Sequence, residues 1–106
     1  MSIRELQFSL DEVARIGDVI RARGRCIRGP IVPGDTFDTA YAPLLTYRAD
    51  GYDVEQTKER SVQMEVVAIF AYRKEIPECS QGMTAELHMV GTGDDELGVG
   101  YVLERR

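Results

Sequence analysis

The sequence has no tryptophan, one histidine, two cysteines and no long hydrophobic run. No window reaches the roughly 20 apolar residues that a transmembrane helix needs, so we expect no membrane partner. The first residues also lack the apolar segment of a signal peptide, which predicts a cytoplasmic protein. Because Cys26 and Cys79 belong to no CxxC or Cys/His pattern, we expect two buried, reduced thiols.

The sequence also lacks an excess of basic residues. Thirteen Lys and Arg stand against 18 Asp and Glu, which gives a net charge of -5. Proteins that bind nucleic acid through its phosphates usually carry a cationic excess, so this balance disfavours nucleic acid as the partner. A local basic patch is still compatible with it, because arginines crowd the first third of the chain. There is no GxxxxGK[ST] loop, and we therefore expect no nucleotide site.

Residues that could perform chemistry are few and isolated. His88 is predicted to lie on the outward face of a strand beside Glu86, without the converging partners that a general base or metal ligand needs. Cys79 has no neighbouring histidine or lysine to lower its pKa. The acidic run at residues 94–96 lacks the spacing of a calcium loop. We therefore predict a protein that is not an enzyme, with no catalytic residue, cofactor or metal.

What the sequence does contain is a series of short alternating segments. A chain of 106 residues is one domain, here residues 1–106. Small or apolar residues alternate with Arg21, Arg23 and Arg25, which predicts a half-buried strand with the arginines outward. Similar alternation recurs over residues 62–72 and 83–90. The predicted barrel core includes Ile20, Ala22, Cys26, Val66, Ala68, Leu87 and Val102.

The remaining segments predict turns and one long irregular stretch. Residues 9–13 have the pattern of a capped helical turn, and Gly24 suggests a bulge or a close backbone approach. Residues 38–60 predict a hairpin or ordered loop around Asp50-Gly51, followed by an exposed link. Together these segments predict an all-β fold: a six-stranded closed antiparallel Greek-key-like barrel, with a hairpin or loop inserted at about residues 40–60.

The stretch GRCIRGPIVPGD, at residues 24–35, places two apolar segments around Gly29-Pro30 and ends in a Pro-Gly-Asp turn. It resembles the opening hairpin of domain 2 of the translational GTPases, the small barrel that follows the nucleotide-binding domain in elongation factor Tu. Further matching segments occur in the same order as in that family: residues 8–13 before this stretch, and residues 64–73, 78–87 and 94–103 after it. The resemblance implies a translation-factor domain 2-like barrel without the GTPase domain.

In elongation factor Tu, part of this barrel helps to hold the aminoacylated end of tRNA. The positions that correspond by resemblance are Phe70, Tyr72, Arg73 and Thr84. The aromatic residue and the arginine are kept, whereas Phe70 replaces an acidic residue and Thr84 replaces an asparagine. These two replacements argue against tRNA-end binding, since they remove hydrogen-bonding groups that could contact RNA.

Two surfaces are therefore candidates for binding. Tyrosines on an exposed loop favour protein contacts because they bury a large area at low entropic cost, and the predicted partner site is Tyr41, Tyr47, Arg48 and Tyr52. The packing alternative is that these tyrosines cover the end of the barrel. An anionic partner would instead use Arg21, Arg23, Arg25 and Arg73, unless carboxylates such as Glu65 and Glu86 neutralise the arginine row.

Three functions follow from these surfaces. The first is a small cytosolic protein-binding module of unknown partner. The second is a ribosome- or tRNA-associated RNA-binding module. The third, an immunity or antitoxin-like inhibitor, fits only the small size and acidic charge.

Overall fold

The computed structural model describes residues 5–95 and 97–106, and these residues form seven β-strands and no helix. The strands are β1 (Leu6–Ile16), β2 (Val19–Arg28), β3 (Thr36–Arg48), β4 (Gly51–Ala71), β5 (Lys74–Ile76), β6 (Thr84–Thr92) and β7 (Val102–Arg105). The described residues therefore contain no helix long and apolar enough to cross a membrane.

The strands form one antiparallel sheet that closes on itself. Its order is β3-β7-β1-β2-β6-β4-β5, and an additional β3–β4 pairing joins the two ends. Six strands therefore make the closed barrel, and β5 pairs only with β4, outside it. Closure removes the unpaired edges that an open sheet would present. The predicted all-β, six-stranded barrel is confirmed.

Alternation along β2 and β6 fills the core as predicted. Ile20, Ala22 and Cys26 are fully buried, as is Leu87 on the neighbouring β6. Gly24 lies between them because β1 passes too close for a side chain: a Cβ at this position would lie 1.9 Å from the carbonyl oxygen of Ser9. The close backbone approach expected at Gly24 is thus present.

The prediction that Ala68 belongs to the barrel core is wrong. The β4–β6 register shifts between Val66 and Ala68, which inserts one extra residue into β4. Because side chains alternate with a period of two, one inserted residue reverses every later orientation. Ile69 and Ala71 are consequently buried, whereas Ala68 and Phe70 are only half-buried.

Two other local predictions are wrong. Residues 9–13 form no helical turn but belong to β1, whose inward side chains Leu6, Phe8 and Leu10 extend the barrel pattern. Residues 55–60 are not a link but part of β4, because they pair with β3. The hairpin around Asp50-Gly51 is confirmed, and it is far longer than its sequence pattern indicates.

Candidate functional site

The long hairpin of β3 and β4 extends beyond the barrel. The β3–β7 pairing ends at Tyr41, and β4 pairs with β6 only from Gln63 onward. Within the described residues, the segments 42–48 and 51–57 are therefore paired only with each other. We call residues 42–57 the arm. Seven residues of strand span about 23 Å, so the arm is a substantial projection.

The two faces of the arm differ in chemistry. The register places Leu45 opposite Val54 and Tyr47 opposite Tyr52. The tyrosine rings are in contact, with centroids 6.2 Å apart. All four side chains are exposed. We call these four residues the apolar arm face, and it contains no charged group.

The opposite face is mainly polar. It carries Thr46, Arg48, Asp53 and Glu55, and Arg48 forms an ion pair with Asp53. Leu44 also lies on this face, and its 49% exposure equals that of Leu45. The ribbon is thus amphipathic. Residues 44–55 are exposed apart from the half-buried Asp53, whereas near the base of the arm Arg106 donates a hydrogen bond to Gln56 at 2.8 Å.

The predicted partner residues divide between two environments. Tyr47, Arg48 and Tyr52 lie together near the tip of the arm and are exposed. Tyr41 does not lie with them, because it is 7% exposed at the point where β3 pairs with β7. Burial, followed by the nearby Glu104 carboxylate, raises the pKa of Tyr41. For Tyr41, the packing alternative is the better description.

Leu45 and Val54 belong to the apolar arm face but lie outside the predicted partner site. A signal for them exists: counting outward from the Asp50 turn places Tyr52 across from Tyr47 and Val54 across from Leu45. That count requires the strands to remain paired, whereas residues 55–60 are polar and suggest a link. The register, not the composition, defines this face.

A second surface is a groove of about 550 Å³ on the barrel wall formed by β2, β6 and β4. Its lining includes the cations Arg21, Arg23 and Arg73, the aromatic residues Phe70 and Tyr72, and Thr84, Glu86 and His88. Three of the four arginines predicted for an anionic partner are thus brought together. Arg25 is separate, since its Nε donates to the carbonyl of Gly82 beside another depression.

Glu86 is the centre of the electrostatics in this groove. Its carboxylate accepts a hydrogen bond from Arg21 at 3.0 Å and lies 2.9 Å from His88 Nε2. Burial alone would raise the pKa of Glu86, but the hydrogen bonds with His88 and Arg21 outweigh it and lower the pKa. The His88 ring also packs against Phe70 at a tilt of 39°, with ring centroids 4.5 Å apart. Arg21 and His88 are therefore held in place by contacts within the protein.

Arg23 makes longer contacts within the protein than Arg21 does. Its guanidinium lies 3.5 Å from Glu12 and 3.7 Å from Glu86, and its side chain is largely exposed. Glu12 therefore provides one of the cross-strand carboxylates for the arginine row. The expected Glu65 lies elsewhere, between Thr36 and Val90 in the register.

The β4–β5 turn at the rim of the groove has an unusual backbone. Tyr72 and Arg73 both adopt left-handed conformations, with φ of 53° and 65°. Two-residue hairpin turns of this kind favour Asn-Gly, because a Cβ is strained in this region. The turn nevertheless places a Tyr72 side chain that is 92% exposed beside Arg73.

Among the described residues, the other candidates for metal binding or catalysis do not come together in a site. No group of three or more His, Cys, Asp or Glu residues among those described could hold a metal. Burial, followed by the neighbouring Cys26, raises the pKa of Cys79 from 9.0 to about 11. Asp94 bonds with Arg15 at 2.8 Å, and this hydrogen bond lowers the carboxyl pKa. Glu96 lies outside the described residues.

Comparisons with known proteins decide the fold. No protein-family model and no curated protein matches the sequence. Among solved structures, the chain is similar to that of translation elongation factor SelB from Methanococcus maripaludis in its apo form, with 16% identity and a TM-score of 0.68. The match covers 98% of this chain and 20% of that chain. The fold is that of a translation-factor barrel domain. The predicted resemblance is thereby confirmed at the level of fold, and the chain spans about a fifth of the elongation factor.

Within this barrel, the four positions that correspond by resemblance to the tRNA-end site are close in space. Phe70, Tyr72, Arg73 and Thr84 all line the groove. Phe70 does so because of the extra residue in β4, which turns it away from the core. The arm and the groove are therefore the two candidate binding surfaces of the barrel.

Proposed function

We propose that this translation-factor barrel is a protein-binding module and that the apolar arm face is its contact surface. The observation that supports the proposal is the set of four uncharged, exposed side chains on one face of a projecting ribbon. Contiguous apolar groups on a surface are characteristic of interaction sites. Tyrosines in particular are enriched where proteins bind one another.

The energetics of the arm favour a partner. A two-stranded ribbon on its own is only marginally stable in water. Covering its apolar face removes exposed hydrocarbon from water at a gain of about 25 cal/mol per Å². The Arg48–Asp53 ion pair on the opposite face keeps that side soluble and adds little stability, because exposed pairs contribute about 0–1 kcal/mol.

The proposal assigns no catalysis, cofactor or metal to this chain, and it places the protein in the cytoplasm. Contacts with Glu86 and Phe70 account for His88 without a catalytic role. The raised pKa of Cys79 makes its thiol a weak nucleophile at neutral pH.

The matched pair Leu45 and Leu44 provides the test. We expect tagged protein from native cells to retain a specific protein partner, identified by mass spectrometry. Leu45→Asn should remove that partner, whereas Leu44→Asn, equally exposed on the other face, should retain it. Melting of both variants should equal that of the wild type. Retention of the partner by Leu45→Asn would contradict the proposal.

A second candidate function is RNA binding at the groove. It is favoured by one observation: Arg23 and Arg73 flank the aromatic residues Phe70 and Tyr72 in a single depression. Cations beside the exposed Tyr72 ring suit a single strand, whose bases stack on aromatic rings while its phosphates pair with arginine. The net charge of -5 and the cross-strand carboxylates oppose this function.

Titration of labelled tRNA and single-stranded RNA at physiological salt separates the two functions. We expect weak binding that falls steeply with added salt. Submicromolar affinity that disappears in an Arg23→Ala, Arg73→Ala double variant would make RNA binding the preferred function. Arg25→Ala is the control, because Arg25 lies outside the groove.

A further inference from the structure

The apolar arm face has a pattern that fits a copy of itself. It consists of two rows across the ribbon: Tyr47 and Tyr52 toward the tip, and Leu45 and Val54 toward the barrel. Resting on the proposed protein-binding function, we infer that the partner is a second copy of this chain, with the two arms packed face to face around a two-fold axis.

Antiparallel arrangement of the two arms makes their surfaces complementary. The tip of each arm then lies over the base of the other, so each tyrosine row covers the opposite Leu45 and Val54 row. Large flat rings then pack against smaller aliphatic side chains, and each row of one copy contacts one row of the other. This arrangement puts the two barrels at opposite ends of the paired arms. Such isologous two-fold contacts are the commonest form of protein oligomer.

The area available is sufficient for a specific but weak dimer. Tyr47 and Tyr52 are 77% and 63% exposed, and Leu45 and Val54 are 49% and 56% exposed. Since a tyrosine can bury about 150–250 Å², the four side chains together offer roughly 500 Å² per copy. Two copies bury about 1,000 Å² in total, which is near the lower limit for a specific interface. We therefore expect a dimer that dissociates on dilution.

Charge sets the salt dependence of this dimer. Each copy carries a net charge of -5, so the two copies repel at long range. The apolar arm face has no charged side chain, and no ion pair is lost when it is covered. Added salt screens the repulsion without weakening the contact, so the dimer should persist or strengthen with salt. RNA binding would show the opposite dependence.

Sedimentation equilibrium of the full chain over a range of concentrations tests the inference. We expect a reversible monomer–dimer equilibrium for the wild type and for Leu44→Asn. Leu45→Asn should weaken the dimer at least about tenfold, because each interface loses two leucines and buries two amides. Equal melting temperatures would show that both variants fold.

Two results would overturn the inference. One is a wild type that stays monomeric at the highest soluble concentration. In that case, if the wild type captures a different protein from native cells and Leu45→Asn does not, the protein-binding function stands without the dimer. The other is a dimer unchanged in Leu45→Asn, which would place self-association on another surface. Failure of both sedimentation and capture to respond to Leu45→Asn would remove the proposed function as well.

Discussion

At the scale of single residues, Gly24 marks a close approach between β1 and β2. A Cβ at this position would overlap the Ser9 carbonyl at 1.9 Å, and the contact is with backbone that cannot rotate away. We predict that Gly24→Ala lowers the free energy of unfolding by roughly 1 to 3 kcal/mol, as overpacking does. Gly98→Ala is the control, since nothing lies within 4 Å of a Cβ there. Urea unfolding of both variants measures the difference, and equal stability would contradict it.

The two cysteines are protected by their surroundings. Burial raises the pKa of Cys26, and burial together with Cys26 raises that of Cys79 to about 11. We predict that both thiols resist an aromatic disulfide reagent at pH 8 in the folded protein and react promptly when urea unfolds it. Fast reaction in the native protein would contradict this.

The raised pKa of Cys79 makes the free energy of unfolding depend on pH. A folded pKa above the unfolded value of 9.0 means that the native state holds its protons more tightly. The resulting stability is fully present below pH 9 and is lost as pH rises toward 11. The free energy of unfolding should therefore decline between pH 8 and pH 11, and the decline should be smaller in a Cys79→Ala variant, where the raised pKa values of Cys26 and Tyr41 still contribute.

At the scale of elements, the Tyr72-Arg73 turn combines strain with exposure. Both residues hold left-handed conformations that cost roughly 1 kcal/mol or more each outside glycine. We predict that Tyr72→Asn with Arg73→Gly raises the free energy of unfolding by about 1 to 2 kcal/mol, because this pair suits the turn. Denaturant unfolding measures the change. A loss of stability would mean that the Tyr72 and Arg73 side chains contribute packing that outweighs the strain.

Elements also show where sequence patterns were sufficient. The alternation in β2 and β6 predicted buried faces correctly, because each strand keeps its period throughout the core. In β4 a single extra residue after Val66 reversed Ala68 and Phe70. Nothing in the sequence marks that bulge, since the region is apolar on both faces. A pattern with two apolar faces contains no information about register.

The candidate site was predictable only in part, because some of its members depend on how the strands pair. Tyr47 and Tyr52 followed from composition, whereas the inclusion of Val54 and the burial of Tyr41 depend on pairing. Likewise, the arginine row was visible on one strand, but Glu12 joined it only through the β1–β2 register. Contacts between distant segments were the part that local pattern could not supply.

At the scale of the whole molecule, the barrel and the arm make separate contributions. The barrel owes its stability to a core that draws on every barrel strand, including Phe8, Phe37, Met64 and Leu103. The arm contributes none of its apolar face to that core, because those side chains remain exposed. We therefore expect the arm to be dispensable for folding and essential for association.

Removal of the arm separates its role in folding from its role in association. Pro43 and Gln56 are paired in register, so residues 44–55 can be replaced by Asn-Gly to join them in a two-residue turn. We predict that the shortened chain melts within a few degrees of the full chain and captures no protein partner, a second copy included. A shortened chain that unfolds or aggregates, or one that keeps its partner, would contradict the account.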